Sequence, residues 1–265
     1  MISLKKLMVI GLVLVLIGGI GAFLTFRDNS LDIHEEKIFK ENNITGIEVN
    51  SNNAGIEIIP TAEKETKVVL QGKGSSETKG SFTAKVVGKK LVVNWNEKQI
   101  SFFQMNFIDE SLTLKILVPV KEYKSLRINN DNGKIDLADL MVEQVQAESN
   151  NGRIHLQNIQ SNSIKVISDN GRVSLDHVSG SVKGETNNGR ISMKTATLDQ
   201  AIQLETDNGS IEIVTEKEPT NVTFDVQVDN GSINILDKYK GSTVIGNGEN
   251  KVKLKTNNGK IRVGN

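Results

Sequence analysis

The chain contains no cysteine, and this absence removes several kinds of chemistry at once. Disulfide bonds, thiolate metal ligands, cysteine nucleophiles and lipid attachment through an N-terminal cysteine are all excluded. Aromatic residues make up only 4% of the 265 residues, and there are three prolines. A hydrophobic core must therefore be thin and aliphatic, and the shortage of proline suits a strand-rich structure.

An excess of charge of one sign is also missing, because 32 basic residues are matched by 32 acidic ones. Nucleic-acid binding, which needs a basic surface with interleaved aromatics, is not predicted. The three histidines, His34, His155 and His177, have no zinc-ligand spacing, and no nucleophile elbow or phosphate-binding loop is present. The sequence therefore predicts no enzyme, no metal site and no cofactor, although the scattered acids leave a polysaccharide-active enzyme as a remote alternative.

What the chain does contain is a repeated pentapeptide, [Asp/Asn]-Asn-Gly-[Lys/Arg/Ser]-[Ile/Val]. It occurs seven times, centred on Gly133, Gly152, Gly171, Gly189, Gly209, Gly231 and Gly259. The first five glycines lie 19, 19, 18 and 20 residues apart, and the last two gaps are 22 and 28 residues. A period near 20 is typical of a solenoid, in which each coil buries its apolar side only when the next coil stacks on it.

The residues that follow each glycine alternate between apolar and polar, which predicts a short strand with one face inward. Asn-Gly itself favours a turn, since both residues tolerate positive φ. Within one coil we expect strands near Ile154–Leu156, Ile159–Gln160 and Ile164–Val166. The predicted fold is an all-β, three-sided parallel β-solenoid. The alternative is an antiparallel meander of hairpins, but equivalent positions recur at one period and not as mirror-image pairs.

The asparagine before each glycine has two interpretations. Stacked coils would place asparagine over asparagine, so the side-chain amides could form a hydrogen-bonded ladder that runs from coil to coil. Alternatively, the acids at Asp131, Asp169, Asp207 and Asp229 could chelate Ca²⁺, which needs six to eight oxygen ligands. The period and the absence of paired glycines differ from those of the calcium-binding β-roll, which favours the ladder.

Residues 7–26 are uncharged and mostly apolar, and as a helix they would span about 30 Å, the thickness of the bilayer hydrocarbon. We predict a single transmembrane helix with residues 1–6 in the cytoplasm, because Lys5 and Lys6 precede it. A cleaved signal peptide is the alternative. Residues 27–43 are polar and are predicted to be a linker, either a short helix or disordered.

Residues 44–265 form the predicted extracytoplasmic solenoid, with irregular coils or a cap at 44–119 and regular repeats at 120–265. The aromatic segment 101–107 either seals the solenoid end or exposes an apolar patch for a partner. The last repeat stops at Val263, which predicts an open edge. Basic residues of that coil either protect this edge or meet a partner there: Lys251, Lys253, Lys255, Lys260 and Arg262.

A column of basic side chains, formed by the residues that follow four of the repeat glycines, could support the binding of an anionic ligand. Stacked coils would place Lys134, Arg153, Arg172 and Arg190 about 4.8 Å apart, an arrangement that suits a linear anionic polymer or lipid headgroups. The alternative is that acids four residues before the glycines balance these cations: Glu148, Glu185 and Glu205.

The repeated Asp/Asn-Asn-Gly-Lys/Arg-Ile, preceded by one apolar segment, resembles a bacterial family of unknown function that carries the label putative adhesin. Within it, the chain is similar to the LiaG-type membrane-anchored proteins found with cell-envelope-stress operons of Gram-positive bacteria. The resemblance covers residues 44–265 and implies a non-enzymatic binding or scaffold module on the outer side of the cell membrane. Its expected partner is an anionic wall polymer or a membrane protein. An accessory regulator that contacts a membrane sensor is the alternative function.

Overall fold

The computed structural model describes residues 4–25, 31–41, 43–74, 82–96 and 111–265. Within these ranges the chain forms one helix, α1 (Leu4–Thr25), and a sheet of sixteen strands. The strands are β1 (Leu31–Phe39), β2 (Gly46–Ser51), β3 (Gly55–Thr61), β4 (Thr66–Gly74), β5 (Phe82–Val87), β6 (Lys90–Trp95), β7 (Ser111–Pro119), β8 (Glu122–Ala138), β9 (Met141–Gln157), β10 (Gln160–Ser168), β11 (Val173–Asp176), β12 (Ser179–Thr195), β13 (Ile202–Thr215), β14 (Val222–Ile235), β15 (Thr243–Ile245) and β16 (Asn250–Gly264).

The repeats stack in parallel with equivalent residues side by side. β8 pairs with β9 so that Asn132 lies beside Asn151 and Gly133 beside Gly152. The same alignment continues through β10 and β11 to β12 and β13. These pairs are parallel throughout, so the predicted parallel solenoid is confirmed and the hairpin meander is wrong.

Three extended stretches make up one regular coil. In the coil that begins at β10, the register shifts between Gln160 and Ser163, and the strand then continues to Ser168. After the Asn-Gly bend, β11 forms the third stretch, and His177 (φ 52°) turns the chain into the next coil. His177 lies six residues after its repeat glycine, and the equivalent residues Asp139 and Asn158 also have a left-handed conformation (φ 57° and 52°). This division agrees with the three-sided coil that the sequence predicts.

Glycine occurs at the repeat positions for a different reason from the predicted one, which was tolerance of positive φ in a turn. Of the seven, only Gly133 and Gly231 have positive φ, and strands such as β12 continue through the Asn-Gly pair. A Cβ atom at Gly189 would instead overlap the carbonyl oxygen of Gly171 in the coil before it. Glycine is therefore needed because successive bends approach too closely for any side chain.

The core is a narrow stack of aliphatic side chains. The residue two after the glycine is fully or almost fully buried in six coils, at Ile135, Ile154, Val173, Ile191, Ile211 and Ile261. Each such side chain stabilises the fold by about 1.5–3 kcal/mol relative to exposure. The largest buried side chains are Trp95, Tyr123 and Phe224, which lie toward the two ends of the sheet order.

The final repeat does not form the end of the solenoid. β16 lies between β13 and β14, so that Asn258 pairs with Asn208 on one side and with Asn230 on the other. The predicted open edge at Val263 is therefore wrong, and the basic residues of that coil do not protect an edge. The terminal coil is β14, which comes earlier in the chain.

At the other end, parallel coils give way to antiparallel strands. β2 and β3 form the first coil against β8, and β6 and β7 stack on their outer side. β5 and β4 then pair antiparallel with β6 and β7, and β1 pairs antiparallel with β4. The predicted linker at 27–43 thus includes strand β1. The aromatic segment 101–107 lies outside the described residues.

The predicted transmembrane helix at residues 7–26 is contradicted. Across the described ranges, no helix combines the length and the hydropathy that a membrane span requires.

Candidate functional site

The bends that carry the repeat motif are joined by a ladder of side-chain amides. The Nδ2 group of each asparagine donates to Oδ1 of the asparagine in the neighbouring coil, at 2.8–3.1 Å. The ladder runs in the order Asn53, Asn132, Asn151, Asn170, Asn188, Asn208, Asn258 and Asn230. The predicted asparagine ladder is confirmed, and it orients the bends along one line.

A second column lies one residue earlier and alternates between acid and amide. In stacking order its members are Asp131, Asn150, Asp169, Asn187, Asp207, Asn257 and Asp229. Three of the asparagines donate to the aspartate of the neighbouring coil, at 3.1, 3.3 and 3.0 Å. Successive carboxylates are thus separated by an amide and stand about 9.6 Å apart, which is two coil spacings.

This alternation bears on two sequence predictions. Calcium needs several oxygens on one ion, and within the described ranges no group of three acidic or histidine residues could hold a metal. The position of β16 between β13 and β14 preserves this alternation. Stacking in chain order would place Asp207 beside Asp229, and like charges directly opposite each other are destabilising. Asn257 between them doubles their separation and reduces that repulsion.

The four predicted cationic residues are brought together in one exposed column. Lys134 lies beside Arg153, Arg172 follows, and Arg190 lies next to Ser210. Lys134 forms a 2.5 Å ion pair with Asp136, and Nε of Arg190 donates to Oγ of Ser210 at 3.1 Å. Arg153 and Arg172 make no ion pair or side-chain hydrogen bond within the described part of the chain.

The acids that were expected to balance these cations have other partners. Glu185 forms a 2.7 Å ion pair with Lys183, and this hydrogen bond raises the pKa of that lysine. Glu148 accepts from Gln146 at 2.7 Å, and Glu205 accepts from Gln203 at 3.2 Å. Each partner lies two residues earlier on the same strand, before the bend. None of these three acids pairs with a cation of the column, and among the described residues only Lys134 of the four cations is paired with a carboxylate.

A shallow groove follows the bends, and we call it the corner groove. Its floor is the glycine column, one wall is the asparagine ladder and the other is the cationic column. Two adjoining cavities of about 720 and 370 Å³ make up the groove, and they meet at Asn170 and Gly171. The groove extends from Gly133 to Gly209, which is about 19 Å at the spacing of neighbouring strands.

The histidines do not join this site. His34 lies on β1, and Nδ1 of His155 is 3.3 Å from Asp136. Both ring nitrogens of His177 are held by carboxylates, Nδ1 at 2.6 Å from Asp176 and Nε2 at 2.9 Å from Glu216. These contacts, with Glu216 contributing most, raise the pKa of His177. An imidazole with both nitrogens occupied has none left to activate a nucleophile.

Sequence reasoning found the cations and the ladder but missed the glycine floor and the coil order. Equal spacing identifies the columns, whereas the close approach of backbones at the bends has no separate sequence signal. The coil order did have a sequence signal. Aspartate and asparagine alternate at Asp207, Asn257 and Asp229 only if β16 lies between β13 and β14.

Two solved structures resemble this chain. One is described as a putative cell adhesion protein from Clostridium sporogenes, with 16% identity, 88% of this chain and 99% of that chain covered, and a TM-score of 0.40. The other is described as a putative adhesin from Bacteroides fragilis, with 11% identity, coverage of 87% and 97%, and a TM-score of 0.47. No curated protein matches the chain.

The family comparison covers the whole repeat region. The profile of the Toastrack DUF4097 family matches residues 44–176 and again residues 137–264. The two matches overlap, as expected for a chain in which equivalent coils recur. Together they span more than half of the sequence, and they coincide with the stacked coils and the corner groove. The chain therefore belongs to the Toastrack DUF4097 family.

Proposed function

We propose that this chain is a non-enzymatic binding module of the cell envelope, and that its corner groove holds a linear anionic polymer outside the cytoplasm. One observation carries the proposal: four successive coils present a cation beside a glycine floor, and two of these cations, Arg153 and Arg172, have no protein partner among the described residues. The envelope location is supported by the family resemblance of the repeats.

The geometry favours a long ligand over a small one. A single exposed ion pair contributes about 0–1 kcal/mol, so one cation could not hold a small anion firmly. A polymer with regularly spaced phosphates or carboxylates can contact several coils at once, and each further contact then acts at a high effective concentration. Because the cations are exposed, binding should weaken as salt is added.

The groove also differs from an enclosed catalytic pocket. Its lining consists of glycine backbone, side-chain amides, basic side chains and Ser210. The carboxylates nearest in sequence, such as Asp169 and Asp207, are spaced two coils apart and accept hydrogen bonds from neighbouring asparagines. Such a surface is suited to holding and orienting a polymer, which is the task of a binding or scaffold module.

A matched pair of variants tests the proposal. Poly(glycerol phosphate) is titrated into the full chain at low salt, and the affinity is compared with that of Arg153→Gln/Arg172→Gln. The double variant should lose about tenfold in affinity, since two contacts of up to about 1 kcal/mol each are removed. Its log–log salt slope should fall by about two.

The control is Lys251→Gln/Lys253→Gln, which removes the same charge from exposed positions on β16. This control should bind as the wild type does. An equal loss in both variants would show that only net charge matters, and no binding at low salt would reject the polymer. Protease accessibility on intact cells tests the location, and a protected chain would contradict it.

A further inference from the structure

An eighth Asn-Gly pair, Asn247-Gly248, lies outside the repeats. It stands in the turn between β15 and β16, where the glycines on both sides of Asn247 have positive φ, 64° at Gly246 and 70° at Gly248. The side chain of Asn247 is exposed and makes no hydrogen bond within the described part of the chain. The structure describes all eight Asn-Gly pairs, and this is the one whose asparagine amide no other side chain or backbone group holds.

The seven repeat asparagines are held by the ladder. Each donates through Nδ2 to a neighbouring coil, and all except Asn230 also accept through Oδ1 from the coil on the other side. To turn such an amide toward its own backbone, the chain must break one ladder bond at Asn230 and two at every inner position. Asn247 has no such bond to break.

An Asn-Gly pair whose amide is free to turn can react with itself. The backbone nitrogen of the glycine attacks Cγ of the asparagine, the Cγ–Nδ2 bond breaks, and Nδ2 leaves as ammonia with the proton of the backbone nitrogen. Water then opens the five-membered imide. Its addition at Cγ gives aspartate, and its addition at the main-chain carbonyl carbon gives isoaspartate, whose backbone runs through Cβ and Cγ. Glycine favours the attack because it has no Cβ atom to shield the nitrogen.

We propose that Asn247 is a self-modification site, where the folded chain forms isoaspartate, and that this product releases β15 from the terminal edge, the outer side of β14. The chain is anchored to β14 on both sides of Asn247. Before it, Ile245 pairs with Val222. After it, the carbonyl oxygen of Gly248 accepts from Oγ1 of Thr223 at 2.8 Å. The two anchor points are adjacent residues of β14, so their spacing is fixed, and a main chain lengthened by one carbon cannot keep both contacts.

The turn has little room for the extra carbon. Even a Cβ atom at Gly246 would overlap the carbonyl oxygen of Thr220. On the far side of the turn, the backbone nitrogen of Glu249 donates to Oδ1 of Asn221 at 3.0 Å, and Nδ2 of Asn221 donates to Oε2 of Glu249 at 2.8 Å. β15 is only three residues long and ends where the turn begins. We therefore expect β15, and not the start of β16, to separate from β14.

Ageing the full chain in mildly alkaline buffer tests the site. Chromatography and mass spectrometry of its peptides resolve asparagine, aspartate and isoaspartate at each Asn-Gly pair. Asn247 should react at least about tenfold faster than the inner ladder asparagines, because two hydrogen bonds hold each of those. Asn230, with one bond, should rank second. In urea the ladder is lost, and the eight pairs should react at similar rates. If Asn247 is no faster than the inner asparagines in the folded chain, the site is wrong.

Hydrogen exchange tests the release of β15. In aged wild type, the amides of 222–224 and 243–245 should exchange several-fold faster than in fresh protein. Two variants are the matched controls. Aged Asn247→Gln keeps an amide that does not close the five-membered ring, and fresh Asn247→Asp carries the charge of the product on an ordinary backbone. Both should exchange as fresh wild type does. Unchanged exchange in wild type that contains isoaspartate, or equally fast exchange in Asn247→Asp, would overturn the proposed release.

Discussion

A methyl group at Gly189 would overlap the carbonyl oxygen of Gly171 in the adjacent coil. Backbone at this position is held in register on both sides, so it cannot move without disturbing the ladder of Asn188. We therefore expect Gly189→Ala to lower the free energy of unfolding by about 1–3 kcal/mol, the usual cost of overpacking. Urea denaturation measures this loss.

The matched control for that variant is Gly241→Ala. A Cβ atom at Gly241 would meet no atom within 4 Å, and its φ is not in the left-handed region. This substitution should leave the unfolding free energy within about 0.5 kcal/mol of the wild-type value. Equal losses at the two positions would show that close approach between coils is not the reason for the repeat glycines.

The imidazole of His177 couples stability to pH. Glu216 and Asp176 raise its pKa above the ordinary value, so the folded state binds the proton more tightly than the unfolded state. The resulting stabilisation is fully present below the unfolded pKa, about 6.5, and is lost as the pH rises through the folded value. His177→Gln should therefore lose stability relative to wild type at pH 5.5 and match it more closely at pH 9.

Thermal unfolding of both proteins across this range measures the difference. The comparison between variant and wild type cancels the contribution of the other titrating groups. A difference that does not change with pH, or that grows as the pH rises, would contradict the assigned contacts of His177.

At the scale of elements, the position of β16 places one amide between two carboxylates. Asn257 separates Asp207 from Asp229 and donates to the former at 3.0 Å. Asn257→Asp would place three carboxylates in consecutive coils. We expect it to reduce stability by more than Asn257→Ser does, since both lose the amide group and only one adds a charge.

Added salt separates the effect of the new charge from the effect of losing the amide group. In 1 M salt the Debye length is about 3 Å, which is shorter than the spacing of neighbouring coils. The stability difference between the two Asn257 variants should therefore shrink on adding salt. A difference that is unchanged by salt would mean that charge alternation does not favour the inserted order.

The same elements show how far the sequence could predict the fold. The period of the glycines indicated stacked coils, because only parallel stacking keeps Ile135, Ile154 and the later equivalents on one buried line. The order of the last two coils was missed, because it depends on whether Asn257 or Asp229 stands beside Asp207, and these residues are far apart in the sequence. Non-local pairing, and not local propensity, decides which of them is terminal.

Across the whole molecule, the irregular region was the hardest to predict. The strands β4, β5, β6 and β7 follow from their alternating residues, but their antiparallel closure of the solenoid has no repeat to indicate it. Residues 31–39 are polar enough to suggest a linker, yet pairing with β4 makes them an edge strand. The corner groove, in contrast, follows directly from the repeat, because each of its columns is one position of the motif.

The most direct test of this architecture is a choice between two intramolecular disulfides. Ser210 lies beside Lys260, and Lys260 lies beside Ser232, so 210 and 232 are two coils apart. Neighbouring coils are about 4.8 Å apart, within disulfide range, whereas two coils are about 9.6 Å apart and outside it. Under mild oxidation in dilute solution, Ser210→Cys/Lys260→Cys should form an intramolecular bond and Ser210→Cys/Ser232→Cys should not. A bond between 210 and 232 would contradict the stacking order from which the columns and the terminal edge are derived.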